Sequence, residues 1–128
     1  MRPAALRGAG ITHVLTTGEH LEELIPHDEG LTYLSLSVCD TPDQKLEHLL
    51  PEAAAFITEG REAGGVLVHC FQGKSRCVSF VCAYLLLNRL EDSFESALDT
   101  VRLSRPSASP NLGFALELRK LERSCTKG

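Results

Sequence analysis

The sequence predicts an α/β domain built on a central, mainly parallel sheet flanked by helices. Three observations carry this. Residues 11–16 and 31–37 are short β-branched or alternating runs bounded by Gly10, Gly18 and Gly30, the composition of strands that end in turns. Residues 65–69, G-V-L-V-H, are a continuous apolar run behind Gly64, which suits a strand buried on both faces. After these runs the period changes, with apolar residues returning every three or four positions. Strands alternating with helices imply a mainly parallel sheet.

Each helix has its own signal. Leu46, Leu49, Leu50, Ala53, Ala54 and Ile57 fall on one stripe between the second and third strands. A helix starting near Arg76 carries Val78, Val81, Cys82, Leu85 and Leu86, with further apolar residues around it, and is predicted to be central. Ser93 is placed to N-cap a helix over 94–103, with Glu95 in its first turn and Pro106 beyond its end. A last helix over about 111–123 is expected to bury Leu112, Leu116 and Leu121 or their neighbours.

No repeat, low-complexity tract or linker divides the 128 residues, so they read as one domain over 1–128. The formal net charge of −4 argues against general binding to nucleic acid or an anionic membrane. A local anion site remains compatible with it. The apolar run at 81–87 is too short to span a bilayer. Gly8, Gly10 and His13 interrupt any secretion signal. Five cysteines, at 39, 70, 77, 82 and 125, are an odd and uneven set with no C-x-x-C pair, which points to reduced thiols in the cytoplasm or nucleus. Zinc would need an unusual set drawn from His69, Cys70, Cys77 and Cys82, so neither metal nor cofactor is expected. His13, His20, His27 and His48 show no ligand spacing.

Residues 65–77, G-V-L-V-H-C-F-Q-G-K-S-R-C, carry the chemistry. A strand ends at His69-Cys70, a loop with Gly73 follows, and a helix begins near Arg76. That order aims backbone N–H groups and the positive end of a helix dipole at an anion. Arg76 adds a planar fork suited to phosphate. A thiol at such a rim is acidified to a thiolate, which makes Cys70 a nucleophile toward phosphorus. The loop from Phe71 through Gln72, Gly73, Lys74 and Ser75 to Arg76 would bind the phosphate oxygens.

H-C-F-Q-G-K-S-R resembles the His-Cys-x5-Arg signature of cysteine-dependent phosphatases, and the chain around it resembles an atypical dual-specificity protein phosphatase. The likeness extends to G-I-T-H-V-L at 10–15, A-Y-L-L at 83–86, Arg105-Pro106 and P-N-L-G-F at 110–114. It implies a general acid on a loop about thirty residues before the nucleophile, a place that Asp40 fills and for which Asp43 competes. It also implies that His69 positions the loop and that Asn111 ties the loop to the last helix. Ser75 reads as a structural hydroxyl, and Arg105 as a helix C-terminal arginine or a second anion contact.

Two residues depart from the family pattern. Cys77 stands where a Ser or Thr hydroxyl usually helps the thiolate leave, and a thiol donates more weakly. It, or Cys82, is also a candidate redox partner of Cys70. Lys74 stands where protein-directed members often carry an apolar residue. Relatives usually place another strand or two and a helix before residue 10, so the N-terminal strands are expected to be shortened or absent. That would leave a sheet edge for a partner chain, such as a second copy in a homodimer.

The expected function is a protein phosphatase acting on phosphotyrosine and phosphoserine/threonine through a cysteinyl-phosphate. The alternatives are an inositol phosphate, phosphoinositide or RNA 5′-phosphate substrate, or a catalytically weak phospho-residue binding module.

Overall fold

The computed structural model describes residues 3–18, 30–70 and 73–126. A short helix α1 (Pro3–Gly8) leads into β1 (His13–Thr17). Strand β2 (Thr32–Leu36) follows, then a 3-10 turn (Glu47–Leu49) and α2 (Leu50–Ala63). Next come β3 (Val66–His69), α3 (Arg76–Leu87), α4 (Phe94–Ser104) and α5 (Leu112–Thr126). Helix α1 has no counterpart among the elements expected from the apolar pattern.

The described strands form one parallel sheet in the order β2-β1-β3. His13 pairs with Thr32 on one side and Val66 on the other, and the register runs on to Thr16 opposite His69. β1 is therefore the central strand, and every one of its residues is buried. β3 has the more apolar sequence, yet it lies at the edge and is only half-buried. The expectation of burial on both faces is thus corrected. A run of apolar residues records contact with helices above, and the number of paired neighbours is set elsewhere in the chain.

The core joins Leu15 and Leu36 of the sheet to Ile57 of α2, Phe80 of α3, Phe94 of α4 and Phe114 and Leu118 of α5. α3 is central as expected, with eight buried residues, and it packs against α2, α4 and α5. α4 starts at Ser93, whose hydroxyl accepts from Ser96 N at 3.0 Å while Ser96 Oγ accepts from Ser93 N. α5 corrects the expected buried face. Leu112 and Leu116 are 70% and 59% exposed, while Phe114 and Leu118 are buried and Leu121 packs at the core's margin. Both stripes have helical spacing, and contact with α3 selects the second.

Because the strands are parallel, their C-terminal ends share one side of the sheet. Loops leaving that side meet in one crevice.

Candidate active site

β3 delivers His69 and then Cys70 to that crevice. The loop turns at Gly73, whose φ of +69° is the left-handed conformation that glycine adopts freely. A Cβ there would lie 2.9 Å from Arg105 Nη1, the mobile tip of a long side chain, so the backbone conformation is what calls for glycine. The C-terminal position of Arg105 on α4 is thus only part of its account: its guanidinium lies against the loop.

The Cys70 sulfur accepts the Gly73 N–H at 3.3 Å and contacts Cys77 Sγ, also at 3.3 Å. The thiol of Cys77 donates to it, and together with loop N–H groups and the charge of Arg76 this outweighs partial burial. The Cys70 thiol is pulled down to about 5. The same bond, with burial, drives Cys77 upward, so Cys77 keeps its proton. The result is an asymmetric pair, one thiolate and one thiol. Cys82 is fully buried in the core, and burial pushes its pKa up to about 12. It is a packing thiol, and the redox pairing considered for it gives way to the contact with Cys77.

His69 is fixed from β1. Thr16 Oγ1 is hydrogen-bonded to His69 Nε2 at 2.8 Å, and Thr17 Oγ1 donates to the His69 carbonyl at 3.2 Å. Burial lowers the His69 pKa against the opposing charge of Cys70, which keeps the ring neutral beside the thiolate. No sequence signal marks Thr16 or Thr17 for this, because it depends on the strand register.

Arg76 opens α3 and donates from Nη1 to the Val38 carbonyl at 3.1 Å, which fixes the guanidinium between the loop and the end of β2. Ser75 precedes α3 without capping it. Its hydroxyl instead accepts the Asn111 N–H at 2.9 Å, and Lys74 O accepts from Ser109 N at 2.7 Å. Phe71 and Gln72 lie outside the described residues, as do His20 and His27.

Asp40 sits beyond β2, exposed, with Oδ1 accepting from Asn111 Nδ2 at 2.9 Å. Asn111 Oδ1 in turn accepts from Phe114 N at 3.0 Å, at the start of α5. One asparagine therefore touches the Cys70 loop, the Asp40 loop and α5. Asp43 is hydrogen-bonded to Thr41 and to its own backbone, which lowers its pKa. A carboxylate held ionised in this way is a poor proton donor. His13 is buried, bonded to Glu59 at 3.0 Å and packed edge-on against Phe56, a packing residue of β1. Among the described residues no cluster of His, Cys, Asp and Glu could hold a metal ion, and no helix is long and apolar enough to cross a membrane.

A family model described as "Dual specificity phosphatase, catalytic domain" matches residues 1–124. The chain is 42% identical over 120 residues to dual specificity protein phosphatase 1 of Arabidopsis thaliana, which covers 93% of this chain and 59% of that protein. It is 39% identical over 114 residues to dual specificity protein phosphatase 22 of Mus musculus, covering 88% and 60%. The chain thus spans about three-fifths of these curated relatives. The crystal structure of human DUSP28 superposes with a TM-score of 0.86 at 30% identity, over 96% of this chain and 82% of that one.

Proposed function

The chain belongs to the dual specificity phosphatase family, and on that premise we propose that it hydrolyses phosphate monoesters on phosphoproteins through a cysteinyl-phosphate. The observation that carries this is the Cys70 sulfur, held by Gly73 N–H and Cys77 S–H with its pKa drawn down to about 5. At neutral pH it is a ready nucleophile.

In the first step the Cys70 thiolate attacks phosphorus. An S–P bond forms, the ester P–O bond breaks, and Asp40 gives its proton to the departing oxygen. Arg76 and the N–H groups of its loop hold the phosphoryl oxygens as charge shifts onto them. In the second step water attacks phosphorus, Asp40 takes its proton, and Cys77 donates to the sulfur that leaves. Inorganic phosphate is the product. His69 and Asn111 act as supports, the first next to Cys70 in the chain and the second bonded to the acid. Membership of the dual specificity phosphatase family extends the reading to alkyl and aryl phosphates alike. The relatives are named as protein phosphatases, which favours phosphoprotein substrates over the inositol and RNA alternatives.

The test is hydrolysis of an aryl phosphate in the presence of a chelator. Full activity in chelator and complete loss in Cys70→Ser are expected. Turnover that the chelator removes, or that survives Cys70→Ser, refutes the mechanism. Binding of phosphopeptides without turnover would establish the binding-module reading instead.

Two broader expectations belong with this reading. A nucleophilic thiolate works in a reducing compartment, the cytoplasm or the nucleus. The outer edge of β3 carries no partner among the described residues, and an open strand edge is a template for another chain. A second copy pairing there would give a homodimer, and sedimentation that shows monomer at every concentration would exclude it.

A further inference from the structure

The proposed acid lies in a stretch with little regular structure, between β2 and the 3-10 turn, so its position depends on tethers. Nearest Asp40, three are hydrogen bonds: Cys39 N to Gln44 Oε1 at 3.0 Å, Arg76 Nη1 to Val38 O at 3.1 Å, and Asn111 Nδ2 to Asp40 Oδ1 at 2.9 Å. The fourth is a contact of a different kind. Gly113, in the first turn of α5, lies directly against the backbone of Pro42. A Cβ on residue 113 would overlap the Pro42 carbonyl oxygen and lie 2.6 Å from its carbon and 2.7 Å from its Cα.

All of these atoms are main chain, so no rotation of a side chain could relieve the overlap. Gly113 is not among the residues with positive φ. Its own conformation therefore suits any amino acid, and alanine would favour the helix more than glycine does. The demand for glycine comes from the Asp40 loop alone.

Resting on the reading of Asp40 as general acid, we infer that Gly113 is a positioning residue that seats the acid loop on α5. Asn111, two residues earlier, completes the arrangement: its backbone N–H goes to Ser75 and its side chain to Asp40. The first turn of α5 thereby sets the acid against the nucleophile loop. With Oδ1 engaged by Asn111, Oδ2 is the oxygen that carries the transferred proton. A Cβ at 113 displaces Pro42, and Asp40 moves with it, while Cys70, Arg76 and their loop stay in place.

The experiment is Gly113→Ala assayed on a series of phosphate esters of rising leaving-group pKa. Nitrophenyl phosphate, whose leaving group departs without a proton, should keep kcat/KM to within about twofold, since that ratio reports transfer to Cys70 and not the later attack of water. Phenyl and alkyl phosphates should lose roughly 10- to 100-fold in kcat/KM, part of the 10²–10⁴ that general acid catalysis supplies. The thermal midpoint should fall, because main chain has to give way to the added Cβ. In an Asp40→Ala background Gly113→Ala should add less than about twofold, since the acid is already gone.

An equal loss on every ester, a loss that multiplies with that of Asp40→Ala, or a folded variant active on alkyl esters overturns the inference. Should Gly113→Ala fail to fold, Gly113→Ala with Pro42→Gly gives the loop freedom to step aside. That protein should fold and show the same dependence on the leaving group; activity retained on alkyl esters overturns the inference there too. Asp40→Ala alone separates the two levels. If it shows no dependence on the leaving group, the acid assignment fails and takes the inference with it. If it does and Gly113→Ala does not, the positioning role alone fails.

Discussion

Two sulfur atoms 3.3 Å apart, one ionised and one protonated, define the chemistry at the scale of single residues. Cys70 is deprotonated above its pKa of about 5 and protonated below it. Its alkylation by iodoacetamide should therefore rise with a midpoint near pH 5, where an ordinary cysteine waits until about 8.5. A midpoint above pH 7 would deny the thiolate. Cys77→Ser replaces a weak donor with a stronger one, and a difference of about 1 kcal/mol in that hydrogen bond corresponds to roughly fivefold faster release of phosphate. The same variant should lose protection from peroxide. A hydroperoxide converts the Cys70 thiolate to a sulfenic acid; the Cys77 thiol then attacks that sulfur, water leaves, and a disulfide that a dithiol can reduce is formed. In Cys77→Ser, activity should not return after peroxide and dithiol treatment, and equal recovery in both proteins would rule out the disulfide. Cys70 and Arg76 were legible because strand, loop and helix start lie within a dozen residues. Asp40 was reachable only through resemblance, and Thr16 and Thr17 not at all, since strand register places them.

Among the elements, α4 and α5 differ in how much the sequence disclosed. The Ser93 cap is a local device, complete within three residues, and reads directly from sequence. The buried face of α5 is a tertiary choice between two stripes of equal periodicity. Leu118→Ala should therefore lower stability by about 2–5 kcal/mol, while Leu116→Ala, at an exposed position, should change it by less than about 0.5 kcal/mol. Denaturant titration of the two variants decides the orientation, and comparable losses would contradict it. β3 shows the same limit. Its apolar sequence announces burial, but which strand lies in the middle is settled by pairing between segments far apart in the chain.

For the whole molecule, alternation of strands and helices was enough to predict a parallel sheet, while the crevice at its C-terminal side emerged with the structure. Charge adds to this. The net charge is −4, yet Arg76 and Arg105 both face the Cys70 loop, the first near Cys70 and the second against Gly73. The site is a cationic spot on an acidic surface, which favours a phosphate group over an extended polyanion.

The central place of β1 has a consequence for how the chain folds. Its partners lie 19 residues on, at Thr32, and 53 residues on, at Val66. Pairings of such long range form slowly, because the loops must close before the contacts reward them. Thr16 can reach His69, and Cys70 can enter the loop beside Cys77, only once the last of these strands has docked. The acidity of one thiol thus becomes a clock: during refolding, reactivity of Cys70 at pH 6 should emerge with the final sheet pairing, after the helices have formed.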